Sequence, residues 1–378
     1  MFKMILFDVD GVLLSEERYF DASALTVWEM LFSPNYLGLE NEAFTPTPQE
    51  EQIRSIRKVI FDDDFVLSFM KSRGINANWD MVFLSFGHQL ISIMEQLLPE
   101  HKEELKEILA AQITKGAIDQ LRALVNGKNL TVQYDSFVPD FSPSKAEKQE
   151  LLLYLNHLAE QRLGITTEVF SRTSALWELC QETFQEWYLG ETLTEESLGR
   201  PAIQKGKKGF LSDEIPIVEP KRMAEVFAQI KSRGITLGIG TGRPTIETLV
   251  PLEAMGLLSY FDPNRVITAS HVLEAENKYP ERSPLAKPQP FCYIKGWLGL
   301  DQSDSDIFNF VLPMQDADEL LIVGDSIADY MAAKSIGCRF AAILTGLTGQ
   351  EARAKFEELH ADYIFDDMTG ILSIFKDN

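Results

Sequence analysis

Cysteine is scarce in this chain: only Cys180, Cys292 and Cys338 occur in 378 residues. They are odd in number, far apart and never in a Cys-x-x-Cys spacing. That argues against a disulfide scaffold and against a thiolate zinc site, and it suits a reducing compartment. Each reads as a small core hydrophobe. The five histidines are scattered and offer no metal-ligand spacing. Positive charge is also short, with 35 Lys and Arg against 57 Asp and Glu, a formal net charge of -22. A surface this acidic speaks against nucleic acid and anionic membrane as partners. An anionic ligand would need a locally cationic pocket or a bound metal. No apolar run reaches the length of a membrane span. The first apolar run contains Asp8 and Asp10, so it does not read as a secretory signal. The expected location is the cytoplasm. No repeat of fixed period and no low-complexity tract is visible.

What the chain does have is material for about two domains with a sizeable core. Its most informative stretch is the opening MFKMILFDVDGVLL. The apolar run Met4 to Phe7 reads as a buried strand. It delivers Asp8 and Asp10 to the strand's end, and Gly11 turns the chain. In extended chain, residues i and i+2 share a face, so two carboxylates stand side by side. Like charges in a partly buried site repel, and a hard divalent cation with oxygen ligands is the simplest compensation. The alternative is a surface turn, since Asp and Gly both suit turns.

From about Ile217 onward, helix and strand alternate. A helix opens at 219–222 with Pro220 near its start, carries Met223, Val226, Phe227 and Ile230 at helical spacing, and ends at Gly234. Ile235 to Ile239 is an apolar run ending in Gly240, Thr241, Gly242 and Arg243, with a helix expected after Pro244. Leu320 to Val323 ends in Gly324 and Asp325, and Ala341 to Leu344 and Tyr363 to Phe365 read as further strands. Strands separated by helices imply a parallel sheet with crossover helices, whose ligands bind at the carboxyl ends of the strands. Asp8/Asp10, Thr241 and Asp325 all fall there.

Between about Ser15 and Pro216 the periodicity is helical, with candidates Ser23–Leu31, Asp64–Lys71, Trp79–Leu97, Glu104–Ile113, Ala117–Val125, Glu147–Arg162 and Glu168–Tyr188. The glycine-rich run from Lys205 to Gly209 reads as an exposed hinge and a solvated linker. The expected fold is α/β, a doubly wound parallel sheet in residues 1–14 and 217–378. A large, mainly helical domain, 15–216, is inserted after the first strand and would serve as a lid.

In chain order the chain presents Asp8-Val9-Asp10-Gly11-Val12, Thr241-Gly242-Arg243, Lys287-Pro288-Gln289-Pro290, and Gly324-Asp325-Ser326 with Asp329. This set resembles the four motifs of the haloacid dehalogenase superfamily of phosphohydrolases. DGVLLSEERYFDASALTVWEML is similar to the segment after the first motif in members like phosphoglycolate phosphatase and β-phosphoglucomutase. The resemblance covers residues 1–31 and about 217–370. It implies a Rossmann-like core with a cap domain, a Mg²⁺ cofactor and a role for each residue. Asp8 is the nucleophile that forms an aspartyl-phosphate. Asp10 is the acid that protonates the leaving oxygen and then the base that activates water. Thr241 bonds the phosphoryl group, and Lys287 neutralises charge on it and on Asp8. Asp8, Asp325 and the Asp10 carbonyl hold the metal, and Asp329 supports it directly or through water. Gly242 and Arg243 complete the substrate-binding set.

Blander readings stand beside these. Thr241-Gly242-Arg243 also fits a plain strand-to-helix turn, and Lys287 a solvated loop lysine with Lys278 and Lys295 nearby. Asp329 also fits a helix surface, and Ser326 an N-cap. Arg243 either meets substrate or only pairs with surface acids. An acid at Asp10 favours phosphoryl transfer over dehalogenation, because a halide needs no proton to leave whereas an alkoxide does. A phosphonatase would need a cap lysine, and none stands out. The insertion is longer than the caps usual in this superfamily, and the span from Lys287 to Asp325 is extended, with acidic stretches at Asp301–Asp306 and Asp316–Glu319. The leading expectation is a Mg²⁺-dependent phosphatase of a small phosphorylated metabolite. Its alternatives are a phosphomutase and a regulatory protein that binds a partner through the helical domain. The oligomeric state is open, a homodimer included.

Overall fold

The computed structural model describes residues 2–75 and 77–375, so Met1 and residues 376–378 of the expected core span lie outside the described residues. The chain divides into two compact units, Met1–Glu16 with Leu211–Asn378, and Glu17–Phe210.

The first unit is built on a parallel sheet. Its strands are β1 (Met4–Phe7), β2 (Thr236–Gly240), β3 (Val266–Ile267), β4 (Leu320–Gly324), β5 (Arg339–Ile343) and β6 (Tyr363–Phe365). They lie in the order β3-β2-β1-β4-β5-β6, every neighbouring pair parallel. Phe7 on β1 stands opposite Ile239 on β2 and Val323 on β4. The three strand ends that carry the polar motifs are therefore side by side at one edge of the sheet.

Alternation along β1 sends Ile5 and Phe7 to one face and Met4 and Leu6 to the other. Ile5 and Phe7 pack with Met223, Val226, Phe227 and Ile230 of the helix Pro220–Lys231. Met4 and Leu6 pack with Phe291 and Ile294 of the helix Phe291–Leu298 and with Ala332 and Ile336 of the helix Ile327–Ile336. Burying both faces is why β1 and β4 are apolar at every position, as parallel strands covered by helices are. The two-residue β3 was not anticipated, since two apolar residues at an edge carry no period. Segments 13–15 and 215–217 also pair in this unit, through Ser15 N–H to the Ile215 carbonyl (2.8 Å) and Ile217 N–H to the Leu13 carbonyl (3.0 Å).

The second unit is helical, with helices at Glu17–Phe32, Glu50–Ile60, Phe65–Ser72, Asn78–Ala110, Lys115–Val125, Phe137–Phe141, Gln149–Leu163, Ala175–Leu189 and Glu191–Leu198. Several boundaries differ from the periodicity. The expected helices Trp79–Leu97 and Glu104–Ile113 are one 33-residue helix, bent at His101 (φ -129°, ψ 32°), two residues past Pro99. A proline inside a helix removes one N–H and crowds the carbonyl four residues back, which bends the helix. The expected helix Glu168–Tyr188 starts only at Ala175, where Ser174 caps it by accepting from Trp177 N–H. The helix Glu50–Ile60 was missed although Ile53, Ile56 and Ile60 line its buried stripe.

Two expectations are corrected here. The helix Asn78–Ala110 is long and apolar enough to cross a membrane, but 83% of its apolar window is buried. It is the central helix of the unit, packed on Glu17–Phe32, Gln149–Leu163 and Ala175–Leu189. The run from Lys205 to Gly209 is not uniformly exposed. Lys207 is buried, its ammonium 2.6 Å from Glu29 and 2.9 Å from Glu186, both themselves buried. Sequence alone cannot see that partnership, because Lys207 lies 178 positions from Glu29.

Candidate active site

Asp8 leaves β1 with its backbone N–H still on the Val323 carbonyl (2.8 Å), and its Oδ1 accepts from Val9 N–H (2.8 Å). Its Oδ2 faces the Lys287 ammonium at 2.9 Å. The chain then turns on Gly11, which has φ +66° and holds Leu14 through its N–H. That left-handed conformation suits glycine.

Lys287 also reaches Asp329 Oδ1 at 2.7 Å, so one ammonium bridges the ends of β1 and of the β4 loop. Asp329 is wholly buried near the start of the helix Ile327–Ile336. Ser326 caps that helix, accepting from Asp329 N–H, and Asp329 Oδ2 accepts from the Ser326 hydroxyl at 2.6 Å. The bland reading of Ser326 as an N-cap therefore holds, and that of Asp329 as a helix-surface carboxylate does not.

Asp8, Asp325 and Asp329 each bring a carboxylate oxygen within 4.8 Å of the others. Three acids against one lysine leave the cluster short of positive charge. Burial pushes the Asp8 carboxyl up to about 7, against the pull of Lys287, with Asp329 and Asp10 adding to the rise. Burial, then Asp329 and Asp8, drive Asp325 well above the usual carboxylate range. Asp329 stays below that range despite its burial, because Lys287, Ser326 and Tyr293 hold its charged form. Lys287 is held above the usual lysine range despite burial, by Asp329 and Asp8.

Room for the Asp325 carboxylate is built in. A Cβ on Gly11 or on Gly346 would collide with Asp325 Oδ2. An all-oxygen set, undercompensated and cradled by glycine, fits a hard divalent cation. Gly346 follows β5, and Thr345 ties that loop to the first one by donating to the Gly11 carbonyl (2.5 Å).

Thr241 follows β2 and is buried, its hydroxyl accepting from Arg243 N–H at 3.2 Å. Gly242 is exposed, with open space where a Cβ would stand. Arg243 is placed differently from a substrate-facing arginine. It is 1% exposed. Its Nε and Nη2 grip Asp10 Oδ1 at 2.7 and 2.6 Å, and Nη1 donates to Glu214 Oε1 at 2.8 Å. Arg243 does pair with acids, but not with the surface acids expected: Glu214 is buried and Asp10 part-buried.

The anticipated residues thus lie just past the strand ends β2-β1-β4, in the loop bearing Lys287 or, for Asp329, in the first turn of the helix after β4. Glu214, Tyr293, Thr345 and Gly346 were not anticipated. Thr345-Gly346 carried a usable signal, since an apolar strand followed by Thr-Gly repeats the pattern of Thr241-Gly242. Tyr293 and Glu214 carried none.

Residues 2–337 match the family model described as haloacid dehalogenase-like hydrolase. Phosphoglycolate phosphatase of Salmonella typhimurium is 24% identical over 265 residues, covering 66% of this chain and 92% of that protein. Phosphoglycolate phosphatase of Pasteurella multocida is 28% identical over 192 residues, covering 50% and 70%. A crystal structure from the Northeast Structural Genomics Consortium superposes with a TM-score of 0.90 at 37% identity, over 99% of this chain and 98% of that one.

Proposed function

Because this chain belongs to the haloacid dehalogenase-like hydrolases, we propose that it is a Mg²⁺-dependent phosphatase that hydrolyses a small phosphorylated metabolite through an aspartyl-phosphate on Asp8. The observation that carries this reading is Asp8 itself. It is a buried carboxylate at a strand end, 2.9 Å from a lysine and beside Asp325, with a second acid two residues on.

Asp8 Oδ2 attacks phosphorus, and the bond to the leaving oxygen breaks. That oxygen takes a proton from Asp10 Oδ2, while Arg243 holds Oδ1. Water then attacks phosphorus, Asp10 takes its proton, and orthophosphate leaves with Asp8 restored. The Lys287 ammonium and the Thr241 hydroxyl face the phosphoryl oxygens, stabilising charge that is poorly solvated in a buried site. Asp8, Asp325 and the Asp10 main-chain carbonyl would hold Mg²⁺, which supplies further positive charge to the phosphoryl group.

In chain order the helical unit Glu17–Phe210 is inserted between the first and second motifs, and we read it as the cap domain that chooses the leaving group. The Salmonella and Pasteurella relatives are named phosphoglycolate phosphatases, so a short carboxylated phosphomonoester heads the substrate panel. A cytoplasmic location belongs to the same reading, since the three cysteines are free and buried.

The test is phosphate release from a panel of phosphorylated metabolites and an aryl phosphate, with and without Mg²⁺, for wild type and Asp8→Asn. Metal-dependent release that disappears in Asp8→Asn is expected. Release that survives the substitution rules out the covalent route. Absence of release on every compound, with a bisphosphate interconverted instead, assigns the chain to the mutases.

A further inference from the structure

The Asp329 carboxylate is surrounded by partners. Oδ1 accepts from the Tyr293 hydroxyl at 2.7 Å and stands 2.7 Å from the Lys287 ammonium as an ion pair. Oδ2 accepts from the Ser326 hydroxyl at 2.6 Å and the Ser326 N–H at 3.3 Å. Of the roughly four acceptor sites of an ionised carboxylate, three hydrogen bonds occupy three, and the ammonium faces the remainder. Asp325 differs, since no hydrogen bond to its carboxylate is seen among the described residues and its oxygen lies in the Gly11/Gly346 cradle. Of these two acids, Asp325 is the one whose lone pairs are uncommitted among the described residues.

Tyr293 bears on Lys287 in two ways, one direct and one through Asp329. Its hydroxyl holds the lysine's partner Asp329, and its ring lies beneath the ammonium, 5.0 Å from Nζ to the centroid. The ring is wholly buried. It fits because the last residue of β2 is Gly240, where a Cβ would lie 2.6 Å from two ring carbons. A lysine is a compact charge on a flexible four-carbon stem, so it needs anchors to hold one position. Asp8 cannot be a lasting anchor, because its Oδ2 becomes the ester oxygen of the aspartyl-phosphate. An anchor that persists through both half-reactions must lie elsewhere.

We propose that Tyr293 is the positioning residue for Lys287, acting through Asp329, and that Asp329 anchors the lysine rather than ligating the metal. This replaces the expectation that Asp329 supports the metal. It rests on Lys287 being the phosphoryl-binding group of the proposed function. Tyr293 meets no reacting atom. It fixes where the ammonium stands while Asp8 changes its bonding.

The test uses the full chain and the variants Tyr293→Phe, Asp329→Asn and Asp325→Asn. Calorimetry with Mg²⁺ alone, and then with inorganic phosphate in saturating Mg²⁺, gives readouts that need no turnover. Tyr293→Phe keeps the ring and removes one hydrogen bond to a charged group, which is worth roughly a tenfold effect. It should bind Mg²⁺ as wild type does and bind phosphate about tenfold more weakly. Asp329→Asn should likewise keep its Mg²⁺ affinity, whereas Asp325→Asn loses it. A merely structural role would lower both affinities together or neither, with a matching fall in melting temperature.

The inference is overturned if Asp329→Asn loses Mg²⁺ as steeply as Asp325→Asn, or if Tyr293→Phe binds phosphate as wild type does. A wild type that binds neither ion overturns it as well. If Asp329→Asn does not fold, Tyr293→Phe decides alone. A wild type that binds both ions but turns over nothing in the panel sinks the phosphatase reading and leaves the positioning result standing.

Discussion

A guanidinium that is 1% exposed and gripped by Asp10 and Glu214 is a structural and a chemical element at once. Removing it in Arg243→Ala strands two acids, one of them fully buried, and breaking such a pair costs about 3 kcal/mol. Thermal melts should show that loss. Arg243→Lys should restore most of the stability but not the two-pronged hold on Asp10, so its kcat should stay about tenfold low. Glu29 provides a pH prediction in the helical unit. Burial raises its carboxyl to about 7, against Lys207, an ammonium that it shares with Glu186. A folded-state value above the ordinary 4.5 means that the folded form holds a proton which the unfolded form releases. The contribution is therefore fully present below pH 4.5 and fades as pH rises through about 7. It amounts to on the order of 3 kcal/mol. Melting curves from pH 5 to pH 8 should fall more steeply for wild type than for Glu29→Gln, and equal slopes would refute the assignment. The acids Asp8, Asp10, Asp325 and Asp329 were legible in the sequence because each follows an apolar strand within a few residues. Arg243's partners were not, because Asp10 and Glu214 are 233 and 29 positions away and only the folded chain brings them to it.

The loop after β5 makes the case at the scale of an element. Thr345 and Gly346 belong to none of the anticipated motifs, yet Thr345 ties this loop to the Asp8 loop and Gly346 clears space for the Asp325 carboxylate. Gly346→Ala should displace that carboxylate and weaken Mg²⁺ binding by more than tenfold in calorimetry, with the sheet itself intact by circular dichroism. A variant that binds Mg²⁺ normally would show that the loop yields instead. Strand β4 was readable because both of its faces are buried and it is apolar at all five positions. The helix Asn78–Ala110 was readable in its parts but not as one element, since Pro99 bends the helix without ending it. Neighbouring helices then bury the long helix along most of its apolar length.

At the scale of the whole molecule, a net charge of -22 repels any phosphorylated substrate before it reaches Lys287. Salt screens that repulsion, with a Debye length near 10 Å at 0.1 M. With Mg²⁺ saturating, kcat/KM should therefore rise about two- to fivefold from low to physiological ionic strength. A fall would mean that a cationic surface steers the substrate instead. The sequence by itself determined the alternation that makes a parallel sheet, the helical character of residues 15–216, and the delivery of acids to strand ends. These follow from hydrophobic period and from turn residues, which act over a few positions. Only the tertiary structure decided that Asp329 turns inward to Lys287 and Tyr293, that Arg243 grips Asp10, and that Lys207 is buried between two glutamates. Those pairings join residues far apart in the chain. They form because a charge withdrawn from water must find an opposite charge or a donor wherever the packed elements place one.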